Sequence, residues 1–220
     1  IVDADRRDTD RGDAGGCQCR AAASDDDGGG ARVVEVLAYP AVQLLDVTGP
    51  LQVLVCTNDY VRKTGGTPPY VLRVVAKGKR YVTTSAGLEI STAPLPCTKN
   101  PPDTLIVPGG PGVDAAAADA ALVDWVRRRA NRARRVASVC TGAFLLAHSG
   151  LLSGHRVTTH WQYAKELADE YPDIKVEPDH IFVRDGHVFS SAGVSAAIDL
   201  TFSLIEEDHG RDLALWVARR

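Results

Sequence analysis

The sequence predicts an α/β fold, a mainly parallel sheet covered by helices on both faces. Three observations predict it. Short apolar runs alternate with segments of helical spacing, the pattern of successive strand–helix units. The runs are close to continuously apolar, as strands buried on both faces are. The breaks at Pro40, Pro108-Gly109-Gly110 and Cys140-Thr141-Gly142 fall where those strands stop. In a parallel sheet the carboxyl ends of strands are where ligands bind.

Taken in order, Val33 to Tyr39 is a strand ended by Pro40, and Leu51 to Cys56 is a helix with Pro50 in its first turn. Tyr70 to Ala76 is a strand, and Tyr81 to Leu88 makes a hairpin-like excursion. Thr104 to Val107 is a short buried strand stopped by Pro108-Gly109-Gly110. One helix, rich in alanine and arginine, runs from Asp114 to Arg132. Val136 to Val139 is a buried strand, and Thr141 to Ser149 is the helix that follows it. Arg156 to Thr159 is a strand and Trp161 to Glu170 an amphipathic helix. Ile174 to Val176, Ile181 to Val183 and His187 to Phe189 are short strands around the Asp185-Gly186 turn. Ala196 to Glu207 and Arg211 to Arg219 close the chain as helices.

Composition bounds the domain count and the chemistry. A chain of 220 residues with 45% hydrophobic content makes one α/β domain with a sizeable core. Residues 1–30, with Asp25-Asp26-Asp27-Gly28-Gly29-Gly30, carry little to bury and are expected to be a disordered leader before a domain over 31–220. A net charge of −3 argues against nucleic-acid binding by this chain itself. The cysteines at 17, 19, 56, 97 and 140 show no metal-ligand spacing and suit a reducing cytoplasm better than a disulfide scaffold. No apolar stretch approaches the roughly 20 residues that cross a bilayer. Gly109-Gly110-Pro111-Gly112 lacks a P-loop lysine. No cofactor and no metal are expected. The arginines at 127, 128, 129, 132, 134 and 135 are expected on a solvated helix face and its C-terminal end, where cations suit the helix dipole.

Cys140 draws most of the chemical interest. At a strand-to-helix junction it would occupy a nucleophile elbow, exposed above the sheet, with the helix N-terminus favouring thiolate over thiol. A buried small residue in an ordinary strand–helix unit is the plain alternative. Asp46 stands just before a helix, where aspartate commonly caps. His160 follows two threonines and would cap a strand end, with Trp161 as a core or interface aromatic.

Four blocks carry a resemblance: Gln43-Leu44-Leu45-Asp46-Val47-Thr48-Gly49-Pro50, Leu105-Ile106-Val107-Pro108-Gly109-Gly110-Pro111-Gly112, Val139-Cys140-Thr141-Gly142 and Thr158-Thr159-His160-Trp161. In order and spacing they resemble the ThiJ/PfpI superfamily, of class I glutamine amidotransferase-like fold, over about 31–210. The resemblance implies a flavodoxin-like three-layer sandwich. It also implies a carboxylic acid, Asp46, donating to the Cys140 sulfur and serving as general acid or base. Gly110 and Thr141 would offer backbone N–H groups as an oxyanion hole, with Gly109 in the same turn. His160 and the Ser190-Ser191-Ala192-Gly193-Val194 loop would border the pocket. Protease and amidotransferase branches have Cys-His-Gly at the elbow, whereas this chain has Cys140-Thr141-Gly142, which disfavours a peptidase or glutaminase.

Two subfamilies fit best. One is the sensor half of GlxA-type AraC regulators, which the tail from Ile205 to Arg220 resembles more. That implies a small-molecule ligand, a homodimer, and DNA reached only through a region beyond Arg220. The other is isocyanide hydratase, in which Cys140 attacks an isonitrile and Asp46 moves protons toward an N-substituted formamide.

Overall fold

The structure is a computed structural model that describes residues 30–220 apart from Lys79. The expected leader, with Cys17 and Cys19, lies outside the described residues.

Among the described residues, eleven strands build the sheets on which the site depends. Strands β1 (Arg32–Ala38), β2 (Tyr70–Ala76), β5 (Ala93–Pro94), β6 (Thr104–Val107), β7 (Arg135–Val139), β10 (Phe182–Asp185) and β11 (Val188–Ser191) form one seven-stranded sheet. Its order is β10-β11-β7-β6-β1-β2-β5, parallel throughout except that β10 runs antiparallel to β11. A register line crosses its centre through Val36, Ile106, Ala137 and Phe189. Every residue of β6 and β7 is buried, so their side chains meet helices on both faces. A hairpin of β3 (Tyr81–Thr83) and β4 (Glu89–Ser91), and a parallel pair of β8 (Arg156–Val157) and β9 (Lys175–Val176), stand outside the main sheet.

Helices α1 (Leu44–Lys63), α6 (Ala196–His209) and α7 (Arg211–Ala218) pack together, as do α2 (Val113–Ala118), α3 (Ala120–Ala130) and α4 (Gly142–His148). With the sheet these two groups make the expected three layers, the flavodoxin-like arrangement. Helix α5 (Ala164–Glu170) packs on β9. The chain moves outward from β1 to β2, then returns to place β6 on the other side of β1. That reversal opens a crevice at the carboxyl ends of β1 and β6, where open α/β sheets bind ligands.

Several boundaries differ from the sequence reading. Helix α1 begins at Leu44, seven residues before the expected Leu51, and encloses Gly49 and Pro50. Proline inside a helix lacks the N–H that would bond the carbonyl four residues back, here that of Asp46. Burial of Gly49 and Pro50 against the fold outweighs that cost. The expected helix 114–132 is two helices, broken at Asp119, whose side chain accepts from Ala121 N (3.1 Å) and Leu122 N (3.2 Å). Strand β8 stops at Val157, and Trp161–Tyr163 is a 3-10 turn leading into α5. Trp161 is 71% exposed, so it is no core residue.

The arginine cluster is a clearer correction. Arg127 and Arg128 pair with Asp124 at the surface, as expected. Arg129 and Arg135, however, are buried. Arg129 bonds both oxygens of buried Glu35 and the carbonyls of Cys97 and Asn100. Arg135 donates to Thr104 Oγ1 (2.8 Å) and to Asp208 Oδ2 (2.6 Å). Burying a charge is tolerable only when it is paired and hydrogen-bonded, and both guanidinium groups are.

Candidate functional site

Cys140 lies between β7 and α4 with φ +55°, a left-handed backbone that non-glycine residues seldom adopt. Three contacts hold that bend. The Cys140 N–H donates to the carbonyls of Ser191 and Ala192, both at 3.1 Å. The Cys140 carbonyl accepts from the Thr159 hydroxyl at 2.7 Å. The cysteine is 7% exposed, at the base of a cavity of ≈ 490 Å³.

Asp46 comes to the same place from the first turn of α1. It is fully buried and is no N-cap, since Gln43 holds that position without a side-chain bond. Its Oδ2 accepts from Gly109 N at 3.1 Å. Its Oδ1 has no hydrogen-bond partner of normal geometry. The Cys140 thiol and the Val194 amide nonetheless approach the carboxyl closely enough to bias its ionisation. Gly110 N donates to Thr141 Oγ1 at 2.9 Å, so that amide is already engaged. The Thr141 hydroxyl and amide both act on the Cys140 sulfur, favouring its ionised form.

The glycine loop needs its glycines. Gly110 has φ +133°, and a Cβ there would lie 2.4 Å from Gln43 N. A Cβ on Gly109 would lie 2.6 Å from Thr141 N and 2.9 Å from Cys140 Cβ. Tyr39 steadies this loop from below, its buried hydroxyl donating to Pro108 O at 2.7 Å. Burial first, then the nearby Asp46 and Cys140, holds the Tyr39 phenol well above its ordinary range.

The acid and the thiol perturb one another. Burial lifts the Asp46 carboxyl to about 6, against hydrogen bonds from Gly109, Val194 and Cys140 that pull it down. Burial, then the Asp46 charge, pushes the Cys140 thiol up to about 11, against the Thr141 and Val194 donors. The sequence reading expected a helix N-terminus to favour thiolate. Desolvation and the carboxylate outweigh it here. At neutral pH the pair is therefore a mostly ionised carboxylate beside a neutral thiol, with a single proton between them.

His160 lines the same cavity, and a Cβ on Gly193 would meet His160 Cδ2 at 2.4 Å and Cys140 Sγ at 3.4 Å. Its ring accepts from Gln162 N, so it caps the 3-10 turn rather than a strand end. Asp46, Gly109, Gly110, Cys140, Thr141 and His160 thus converge.

Sequence reasoning gave no site role to Tyr39, Thr159, Phe144 or Tyr163, and named Val194 only within a loop expected to border the pocket. Two signals existed: Thr159 stands in the block Thr158-Thr159-His160-Trp161, and the loop from Ser190 that the resemblance had placed near the pocket ends at Val194. Val194 has φ +53°, a strained value for a β-branched residue, and its N–H serves both Asp46 and Cys140.

This arrangement, a sharply bent cysteine with a buried acid at the switch point of a doubly wound sheet, agrees with comparisons to known proteins. The chain belongs to the DJ-1/PfpI family, whose family model matches residues 31–207. It is 38% identical over 180 residues to isonitrile hydratase of Pseudomonas putida, covering 81% of this chain and 72% of that protein. It is 32% identical over 151 residues to the HTH-type transcriptional regulator GlxA of Rhizobium meliloti, covering 68% of this chain but only 46% of the regulator. Among solved structures, a ThiJ/PfpI family protein from Pseudomonas syringae superposes with TM-score 0.73 at 29% identity, covering 91% of this chain and 80% of that one. Among the described residues no helix is long and apolar enough to cross a membrane.

Proposed function

We propose that the Cys140 cavity binds a small molecule and that this domain is the ligand-sensing and dimerising half of a GlxA-like, AraC-type regulator. DNA would be contacted only through a region beyond Arg220, and the protein would work in the cytoplasm. One observation carries the reading. Strand β7 bears Cys140 just past its carboxyl end and Arg135 at its start. Arg135 is ion-paired with Asp208 at 2.6 Å, both side chains almost fully buried. Asp208 belongs to the last turn of α6, which leads into α7 and the end of the chain. A ligand that displaces the Cys140 bend thus acts on a strand whose far end is tied to the tail. A neutral thiol lining a pocket suits binding. Exposed Trp161 and Ile181 supply apolar surface for a second copy.

A second reading has its own support: a carboxyl titrating near neutrality beside a thiol is the pair that acid–base chemistry needs. In that reading the Cys140 S–H adds across an isonitrile carbon, with Asp46 taking the thiol proton and returning it to that carbon. This gives a thioimidate. Water then adds to the C=N bond, the C–S bond breaks, and an N-substituted formamide leaves with the thiol restored.

Isonitrile turnover by wild type and Cys140→Ala separates the two. Sensing predicts no formamide, and saturable ligand binding that survives Cys140→Ala. Cys140-dependent formamide release at about 1 s⁻¹ or faster overturns it in favour of hydration.

A further inference from the structure

We propose that the Cys140 cavity selects a small organic cation, an amine or ammonium carried on an apolar body, over neutral and anionic molecules of the same shape. This rests on the reading of the cavity as a ligand pocket, and holds for either a sensed effector or a substrate.

Four features of the cavity point the same way. Its charged lining is one-signed: Asp114 from α2 and Glu166 from α5 face it, with no lysine or arginine among the lining residues. Neither Asp114 nor Glu166 makes an ion pair with a described residue, so neither charge is already spent. Deeper in, Asp46 keeps a buried carboxylate oxygen without a hydrogen-bond donor of normal geometry. It is mostly ionised at neutral pH, so the field at the base of the cavity has the same sign.

The wall is aromatic. Phe144 meets Tyr163 edge-on with ring centroids 6.3 Å apart, and Tyr163 lies 5.7 Å from the His160 ring. Tyr163 and Glu166, three residues apart, share a helical face and reach the cavity together. Aromatic faces attract ammonium groups through the ring quadrupole, and adjoining carboxylates reinforce that attraction.

The groups that would hold an anion are committed elsewhere. Gly109 N–H donates to Asp46 and Gly110 N–H to Thr141. The amides of Thr141 and Val194 are directed at the Cys140 sulfur. A carboxylate or phosphate entering here would find acids and no free donor cluster.

Three probes with one body and three charges test the idea: benzylammonium, benzyl alcohol and phenylacetate, titrated by calorimetry at pH 7.5 and low salt. Two exposed carboxylates and a ring face give benzylammonium roughly a tenfold tighter Kd than benzyl alcohol, with phenylacetate weakest. Asp114→Asn with Glu166→Gln brings the first two within about threefold. Both acidic positions are exposed, so these variants keep the fold. Asp114→Lys with Glu166→Lys turns the preference toward phenylacetate. Raising salt to 1 M narrows the gap in wild type only. Binding of benzyl alcohol or phenylacetate at least as tight as benzylammonium overturns the cation preference while leaving the pocket reading intact. If none of the three binds, and none slows alkylation of Cys140, both fall.

Discussion

Replacing Asp46 by asparagine should stabilise this protein, and only at pH values where the wild-type carboxyl is ionised. The magnitude follows from the site. The Asp46 carboxyl rises from 3.8 to about 6 on folding, chiefly through burial. At about 1.4 kcal/mol per pKa unit the rise is worth ~3 kcal/mol. The sign is set by proton counts. Between those two values the folded state holds more protons than the unfolded state, so stability falls as pH climbs and stays lower above 6. Asparagine cannot ionise, and its amide oxygen can still accept from Gly109 N. Asp46→Asn should therefore match wild type near pH 4 and exceed it at pH 8 by up to ~3 kcal/mol. For a domain of this size that is on the order of 6–10 °C in Tm. Urea unfolding at pH 4.5, 6 and 8, with m-values compared, reads the difference directly. A variant no more stable than wild type at pH 8, or a gain equal at every pH, would refute the placement of an ionisable carboxyl in a desolvated pocket.

Three further outcomes follow from the same geometry. The same Asp46→Asn change removes the charge that opposes Cys140 ionisation, so the rate of iodoacetamide alkylation at pH 8 should rise about tenfold, followed by intact mass. Arg135→Met removes one partner of Asp208, which keeps Arg134, Arg32 and the Tyr70 hydroxyl, and should cost about 1.5–3 kcal/mol in unfolding free energy, the worth of a hydrogen bond to a charged group. Asp208→Leu strips a partner from Arg134, Arg135 and Tyr70 at once and should cost more than Arg135→Met; an equal or smaller loss would show that Asp208 is not the shared anchor. Gly110→Ala forces a Cβ against Gln43 N at a φ of +133° and should lower stability by about 2–3 kcal/mol, checked by thermal unfolding.

Where local patterning sufficed, sequence and structure coincide. Strands Tyr70–Ala76 and Thr104–Val107 stand where their apolar runs and flanking breakers put them. The start of α1 does not, because Gly49-Pro50 looks like a beginning and only burial against the rest of the fold keeps it inside a helix. Likewise the alanine-rich segment reads as one helix, yet a single aspartate side chain restarts it at 119. At the site, the residues that bend the backbone are legible, because glycine, proline and a cysteine at a junction signal a turn by their own stereochemistry. Phe144, Tyr163 and Glu166 carry no such local mark, since each meets the cavity through contacts with elements distant in the chain.

The sequence by itself determined the alternating units, the parallel sheet they must form and the sharp turn that presents Cys140, because those depend on apolar periodicity and allowed backbone angles. The tertiary structure alone decided which charges are buried and where the proton lies. Arg129 finds Glu35 at a separation of 94 residues, and Arg135 finds Asp208 at 73. Asp46 becomes a near-neutral acid, and Cys140 a reluctant thiol, only because folding strips water from both and sets them side by side. Desolvation and Coulomb energy depend on distance in space, which the order of residues does not contain.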